Sequence, residues 1–182
     1  KEIVGLALEA YSRRDQSKVY IPDGRSDMVA GFTTESVFKF LGGRFRGTYR
    51  PLNDAIIDGR LRGAVGIVGC NNPNVTHDSA HIALTQELLK HDVLIVTTGC
   101  AAIADAKCGL LRPEAAYDSV GPGLREICET VGIPPVLHVG ACVDNSRILT
   151  TLVEIVNEGG LGDDFSKLPV AGSAPEWMSE KA

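Results

Sequence analysis

Three cysteines follow short apolar runs along the chain, and their placement points to metal chemistry. Cys70, Cys100 and Cys142 each come directly after a run of the kind that forms a buried strand, with a glycine one or two positions before the sulfur. Thiolates bind zinc, copper(I) or iron–sulfur clusters. If the three strands are neighbours in a parallel sheet, their carboxyl ends bring the sulfurs to one edge. The sequence therefore predicts a soft-metal or iron–sulfur site there.

The spacing of these cysteines argues against a structural zinc site. Such a site usually carries close C-x2-4-C pairs, and this chain has none. Ligands supplied one per strand suit a larger cluster, and the helix after each cysteine would stabilise a thiolate. Three cysteines do not complete a cluster of four or more irons, so we expect further ligands outside this chain. A lone cysteine at a strand end is more often a core residue, and the prediction depends on the repetition.

The two other cysteines provide an internal comparison. Cys108 and Cys128 lie in predicted helices among apolar neighbours. We expect both thiols to be buried in the core and to bind no metal. The five cysteines occur without a secretion signal, so disulfides are not expected.

The histidines give weaker signals than the cysteines. His77 and His81 are four residues apart, which suits a metal or a proton path on one helix face. A polar first turn of a helix explains this pair more simply. His138 lies in a predicted core strand and is expected to be hydrogen-bonded and buried, while His91 is expected to be a cation at a helix C-terminus.

Lys181 lies in the segment that follows the last predicted strand. That segment points back to the sheet edge with the cysteines, where an ammonium could stabilise an anionic intermediate beside a metal. A solvated surface lysine is the simpler interpretation from the residues alone.

The elements that would position these residues repeat one unit three times: an apolar strand, a turn with glycine and cysteine, and a helix. The strands AVGIVG, VLIVTTG and VLHVGA are short and apolar on both faces. A fourth strand is predicted at 168–172, and Ser173 and Pro175 indicate the start of a further helix. The other helices of this region are predicted at 78–90, 101–110, 123–131 and 144–157. This alternation predicts an α/β fold, an open parallel sheet with helices on both faces of Rossmann-like type.

The chain divides into two regions at about residue 50. Residues 1–49 are predicted as a helical segment, beginning with KEIVGLALEAYSRRD, and a connection with room for one short strand. Residues 50–182 are predicted as a Rossmann-like domain that carries the cysteines. The chain begins without methionine and stops within an apparent helix start, so we expect a fragment truncated at both ends.

Composition excludes several classes of protein. The 182 residues are 44% hydrophobic and 23% charged, which is typical of a folded globular chain. No apolar run is long enough to cross a bilayer and no secretion signal is visible, so we expect a cytoplasmic protein. The net charge of -5 includes no basic stripe, so nucleic acid is not an expected partner. The glycine patterns of nucleotide-binding turns are also missing from the sequence.

Three stretches of the sequence resemble one known family. GIVGCNNPNVTHDSAHIALTQELLKHDVLIVTTGCAA, GIPPVLHVGACVDNSRIL and LPVAGSAPEWMSEKA are similar to the anaerobic nickel–iron carbon monoxide dehydrogenase catalytic subunit, a relative of the hybrid-cluster (prismane) proteins. The resemblance covers most of the chain from about Pro51 to Ala182, and the upstream KVYIPD also fits. GCNNP, TTGC and CVDNSR around the cysteines make the resemblance specific.

The resemblance implies a site and a reaction. Cys70, Cys100 and Cys142 would be ligands of the active-site Ni–Fe–S cluster, with Cys142 on nickel and the other two on iron. Lys181 would lie beside the nickel–iron pair and hydrogen-bond a bound carboxylate. The family oxidises CO with water to CO2, two protons and two electrons, which pass to a ferredoxin-type acceptor. Its other cluster ligands, its catalytic histidine and its further 4Fe-4S clusters lie upstream of this chain, so the isolated chain is expected to be inactive.

The resemblance also implies partners. The full-length parent, meaning the longer protein that would contain this chain, is expected to be a homodimer. Three arrangements stay open: the parent works alone, passes electrons to a hydrogenase, or feeds CO to an acetyl-CoA synthase. Two alternatives stay open. One is a hybrid-cluster protein that reduces hydroxylamine or nitric oxide, and the other is a non-catalytic α/β scaffold. Nickel separates the dehydrogenase from the first alternative, and the presence of any cluster separates it from the second.

Overall fold

The apolar runs predicted as strands form a parallel sheet. The structure is a computed structural model, and it describes residues 1–25, 27–41 and 50–177. In those ranges the strands are β1 (Gly63–Ile67), β2 (Val93–Thr98), β3 (Val136–Gly140) and β4 (Val170–Ser173). The α-helices are α1 (Glu2–Ser12), α2 (Thr34–Leu41), α3 (Arg50–Ile57), α4 (Ser79–Lys90), α5 (Gly99–Lys107), α6 (Pro122–Val131) and α7 (Asn145–Glu158). Short 3-10 helices cover Gln16–Lys18, Pro113–Tyr117, Cys142–Asp144 and Phe165–Lys167.

The order of the strands brings the cysteine turns together. In the described part of the chain the sheet has the order β3-β2-β1-β4, and each neighbouring pair is parallel. Val65 lies opposite Ile95 in the first pair of strands, and Ile95 lies opposite Val136 in the next. The three strands that precede the cysteines are therefore neighbours. Because β4 pairs with the other side of β1, the strand order reverses at β1, which is where open α/β sheets bind ligands.

Helices cover both faces of this sheet, which confirms the predicted α/β class. On one face α7 packs with α2 and α3 over Leu94, Val96 and Leu137. Side chains alternate along a strand, so Ile95 projects to the opposite face, and α4 and α5 pack against each other and against β2. Burial of each such Leu or Ile contributes about 1.5–3 kcal/mol to folding. Among the described helices, none combines the length and the apolar composition needed to span a membrane.

Asp92 lies in the turn between α4 and β2 and connects this turn to the start of α6. Pro122 begins α6, and Gly132 ends it with a left-handed φ of +72°. Asp92 accepts a hydrogen bond of 2.9 Å from the Leu124 backbone N–H, so its carboxylate caps the start of α6. The backbone carbonyl of Asp92 accepts from Arg62 N–H just before β1. This one aspartate therefore ties α6 to the sheet.

The helix predicted to start at Ser173 or Pro175 is not found in the described residues. Ser173 is the last residue of β4, because it pairs with Ile67 of β1. The chain then turns at 175–176, and residues 178–182, which complete the predicted helix, lie outside the described ranges. The pairing with β1 thus overrides the local signal of a serine followed by a proline.

The N-terminal region joins the sheet near residue 30. α1 has no buried residue. The backbone N–H groups of Gly31 and Phe32 donate to the carbonyl of His138 at 2.9 and 3.0 Å, and Ala30 forms one parallel bridge with His138. The short strand foreseen in this connection is therefore a single bridge. Residues 42–49 are outside the described ranges, and the division at residue 50 stays a prediction.

Candidate metal centre

The predicted cysteines lie at the carboxyl ends of three adjacent strands. Cys70 follows β1 in an irregular turn, Cys100 is the second residue of α5, and Cys142 opens the short helix before α7. The start of α5 at Gly99, two residues earlier than predicted, places Cys100 in a helical first turn. The Cys70 and Cys142 side chains are exposed, and Cys100 is half-buried. The thiols can therefore be reached from one side of the sheet.

The three thiols lie close enough to influence one another. Partial desolvation raises the pKa of the Cys70 thiol, and the neighbouring Cys100 and Cys142 sulfurs raise it further. Three thiolates so close together repel one another unless a cation neutralises them. Binding of a metal cluster by all three would remove this repulsion, so the donor set fits such a group.

Gly99 holds Cys100 and Cys142 next to each other. Its φ is +58°, a conformation that favours glycine, and a Cβ built on it would lie 2.5 Å from the Cys142 Sγ. Real Cβ atoms do not approach sulfur so closely. The Cys142 sulfur therefore occupies space that is available only because residue 99 is glycine. The positive φ of Gly99 also suits the tight turn between β2 and α5. Gly69 and Gly140 also have positive φ, of +104° and +140°.

Hydrogen bonds fix the loop that carries Cys142. Asp144 accepts a bond of 2.8 Å from the Ala141 backbone N–H and one of 3.0 Å from Arg147 Nε. The Thr98 hydroxyl donates to the Asn145 Oδ1 at 2.6 Å, which ties this loop to the end of β2. No role in the site was predicted for these residues. Asp144 directly precedes α7, and an aspartate in that position is a capping signal that could have identified it.

His77 and His81 have separate partners rather than one shared site. His81 is buried, and its Nε2 lies 3.3 Å from the backbone oxygen of Cys70. The exposed His77 Nε2 lies 3.3 Å from the Asp78 Oδ1. Asp78 in turn pairs with Lys107 at 2.6 Å. His77 therefore lies before α4, whereas His81 lies in the first turn of α4 and packs under the Cys70 turn.

The other two histidines have structural partners. His138 is half-buried, burial lowers its pKa, and its Nδ1 accepts a hydrogen bond of 3.1 Å from the Gly140 N–H. His91 lies at the C-terminus of α4, as expected, where its Nε2 is 3.3 Å from the Glu87 carboxylate. Neither histidine contacts a candidate cysteine in these bonds.

The two comparison cysteines differ from each other. Cys128 is buried in the core, as predicted, and burial raises the pKa of its thiol to about 12. The prediction for Cys108 is wrong, because its side chain is exposed. Cys108 follows the last residue of α5, and Gly109 then turns the chain with φ of +74°. Its apolar neighbours Ala106, Leu110 and Leu111 are buried, whereas Cys108 itself is exposed at the end of α5.

The described residues offer no site for a single metal ion. No group of three or more His, Cys, Asp or Glu side chains in those ranges is arranged to hold one ion. Cysteine thiolates supplied by separate turns are a donor set that iron–sulfur clusters use. Lys181, the remaining predicted site residue, lies outside the described ranges.

Comparisons with known proteins agree with these features. The whole chain, residues 1–182, matches the Prismane/CO dehydrogenase family. Carbon monoxide dehydrogenase 1 of Methanosarcina acetivorans is 50% identical over 182 residues, which cover 100% of this chain and 28% of that protein. The chain thus spans less than a third of the length of this relative.

Two solved structures are similar in both sequence and fold. A nickel-free carbon monoxide dehydrogenase from Thermococcus sp. AM4 has 52% sequence identity and a TM-score of 0.88, over 100% of this chain and 28% of that one. An acetyl-CoA synthase/carbon monoxide dehydrogenase, whose alpha subunits hold nickel–zinc and dinickel Fe4S4 clusters, has 40% identity and a TM-score of 0.87, over 97% of this chain and 28% of that one. The match along the full length and these identities show that the chain belongs to the Prismane/CO dehydrogenase family.

Proposed function

We propose that this chain supplies three cysteine ligands, Cys70, Cys100 and Cys142, to the Ni–Fe–S cluster of an anaerobic carbon monoxide dehydrogenase. The full-length parent would oxidise CO with water to CO2, two protons and two electrons. The observation that carries the proposal is the meeting of the three thiols at one sheet edge, with the Cys142 sulfur packed on Gly99. The names of the similar proteins support the same reaction.

The cysteines have distinct surroundings, which suits distinct roles. Cys142 would bind nickel, and Cys70 and Cys100 would bind iron. Cys100 lies in the first turn of α5, Cys142 opens the short helix before α7, and Cys70 lies in an irregular turn. When bound, the cluster supplies the sites for CO and water and stores the two electrons. The protein would orient the three sulfurs before the cluster arrives, through Gly99 and the bond between Thr98 and Asn145.

Lys181 is proposed as the catalytic residue of this chain. An ammonium group near the reacting atoms would stabilise negative charge as it develops on the substrate oxygen. Trp177, four residues earlier in the sequence, packs at Gly69, the glycine before Cys70.

The remaining parts of the enzyme would come from the full-length parent. Residues 50–182 would form the cluster-binding domain, and residues 1–49 would link it to a preceding region that holds the other cluster ligands. Further 4Fe-4S clusters there would pass electrons to a ferredoxin-type carrier. We propose a cytoplasmic homodimer, working with a hydrogenase or an acetyl-CoA synthase. The acetyl-CoA synthase is supported by the similar structure of that complex.

The names of the similar proteins favour CO oxidation over hybrid-cluster chemistry. The test is metal analysis and CO-dependent reduction of a viologen dye by the anaerobically purified full-length parent. We expect stoichiometric nickel, excess iron over nickel, and dye reduction that requires CO. A parent with iron but neither nickel nor CO oxidation would support hydroxylamine or nitric oxide reduction instead. A colourless parent without metal would identify a scaffold.

A further inference from the structure

A buried carboxylate from a distant part of the sequence holds the turn that carries Cys70. Glu176 follows β4, and its side chain is only 1% exposed. Its Oε2 accepts hydrogen bonds from the Asn71 side-chain amide at 3.1 Å and from the Asn72 backbone N–H at 3.4 Å. Its Oε1 accepts from the Ala80 backbone N–H at 2.9 Å, in the first turn of α4. One carboxylate therefore joins the Cys70 turn, α4 and the segment after β4.

These hydrogen bonds explain how the Glu176 carboxylate stays ionised although it is buried. Burial alone would raise the pKa of Glu176, but hydrogen bonds from Asn71, Ala80 and Asn72 hold it below its ordinary value. A buried charge without such partners would be strongly destabilising. Hydrogen bonds to a charged acceptor are also stronger and more directional than those to a neutral one.

Packing presses the residues beside Glu176 onto the same turn. A Cβ built on Gly69 would lie 3.2 Å from the Trp177 Cε3 and 3.3 Å from the Ala174 Cβ. The chain segment around the carboxylate therefore contacts the residue just before Cys70. Hydrogen bonds on one side of the cysteine and close packing on the other fix the turn at two points.

We propose that Glu176 is a positioning residue for Cys70, which holds the turn 69–72 so that the Cys70 thiol reaches the edge shared with Cys100 and Cys142. This inference rests on the proposed function, because it takes Cys70 to be a cluster ligand. Glu176 itself does not contact a candidate ligand thiol in these bonds, and it acts through Asn71 and Asn72.

The substitution Glu176→Gln tests this role with almost no change of shape. An amide offers one acceptor oxygen and one NH2 donor, whereas the carboxylate uses both oxygens as acceptors. The glutamine can serve either the Ala80 N–H or the Asn71 and Asn72 donors, but not both groups. One connection between the three segments is then lost.

The experiment compares the full-length parent with its Glu176→Gln and Glu126→Gln variants, all purified anaerobically. Glu126 is an exposed residue of α6, 3.5 Å from Arg60, and serves as the matched control. Iron and nickel are measured on each purified protein. Because thiolates that bind metal are protected from alkylation, each protein is then freed of metal with a chelator under anaerobic, reducing conditions and treated with iodoacetamide, and modification of Cys70 and Cys142 is followed by mass spectrometry. We expect Glu176→Gln to speed alkylation of Cys70 by about fivefold or more, as loss of one hydrogen bond allows. Cys142 should stay within about twofold of the unaltered protein, as in the control.

The proposal requires that Glu176→Gln accelerate alkylation at Cys70 and not at Cys142. Equal acceleration at Cys70 and Cys142 would show a general structural role and would overturn the proposal, as would an unchanged rate at Cys70. If Glu176→Gln does not accumulate, Asn71→Ala removes the donor on the other side and should produce the same selective change. The metal content of the unaltered parent tests the proposed function separately, because the absence of metal would refute the ligand role of Cys70. The alkylation rates test only whether Glu176 holds the Cys70 turn in place.

Discussion

The Cys142 sulfur lies only 2.5 Å from the place that a Cβ on Gly99 would occupy. Gly99 also turns the chain with φ of +58° and directly precedes Cys100. One small residue therefore ends the strand, starts α5 and leaves room for a sulfur from the neighbouring loop. Any side chain at this position would push apart two of the three proposed ligands.

The first prediction concerns Gly99→Ala. The control is Gly132→Ala, because Gly132 has a similar φ of +72° but no atom within 4 Å of an added Cβ. Both substitutions should cost about 1 kcal/mol of stability through backbone strain. Only Gly99→Ala should displace the Cys142 sulfur, so only this variant of the full-length parent should lose nickel. Urea unfolding and metal analysis measure the two effects.

The metal contents of Gly99→Ala and Gly132→Ala together show whether the space at Gly99 matters for metal binding. If both variants retain the same nickel and iron, the space at Gly99 has no part in metal binding. If both lose metal equally, strain alone accounts for the effect.

The second prediction concerns the bond between the end of β2 and the start of α7. The Thr98 hydroxyl donates to Asn145 Oδ1 at 2.6 Å, so Thr98→Val leaves a polar acceptor without its donor. We expect a loss of about 1–2 kcal/mol in the free energy of unfolding. Thr97 is equally buried, but its hydroxyl has no hydrogen-bond partner among the described residues. Thr97→Val should therefore be neutral or stabilising in the same urea titration, and equal losses would contradict this account.

The third prediction is a dependence of stability on pH. Asp105 is fully buried, its Oδ1 has no hydrogen-bond partner in the described part of the chain, and burial raises its pKa to about 7. Between about pH 4 and about pH 7 the folded protein keeps a proton that the unfolded chain has lost, so stability falls as pH rises. The decline should be at most about 4 kcal/mol, and Asp105→Asn should remove it.

Urea unfolding over this pH range measures the effect of Asp105. The exposed Asp118 provides the control, because Asp118→Asn should leave the slope of the unaltered protein in place. A decline that persists in Asp105→Asn would assign the effect to other groups.

Local patterns were sufficient to predict the strands and the cysteine edge. Each strand that precedes Cys70, Cys100 or Cys142 is a short apolar run, and a glycine near each cysteine marks the turn. Parallel strands end at the same edge, so the thiols were expected to meet there if the three strands were neighbours, and the strand order β3-β2-β1-β4 meets this condition. The family resemblance added the identity of the metals, which no spacing of residues could supply.

Contacts between distant segments could not be predicted in this way. The Cys142 sulfur meets Gly99 across two neighbouring turns, and Glu176 reaches Asn71 from the segment after β4. Nothing in the residues next to Glu176 distinguishes a buried carboxylate from a solvated one. The prediction for Cys108 failed for a related reason, since apolar neighbours in sequence do not show on which side of a turn a thiol lies.

The fourth prediction concerns the two cysteines outside the candidate site. Cys108 is exposed, whereas Cys128 is buried and its pKa is raised to about 12 by burial. In the native protein iodoacetamide should therefore modify Cys108 and leave Cys128 intact, and both should react in denaturant. Mass spectrometry of the two peptides measures this directly. Rapid native modification of Cys128 would contradict its place in the core.

The most direct test of the central claim is the nickel and iron content of the anaerobically purified full-length parent after Cys142→Ala, with Cys108→Ala as the control. Both cysteines are exposed, so neither substitution should disturb the core. The account requires that Cys142→Ala lose nickel and that Cys108→Ala keep the metal content of the unaltered protein. Full nickel in Cys142→Ala, or equal loss in both variants, would contradict the assignment of Cys142 as a ligand of the cluster.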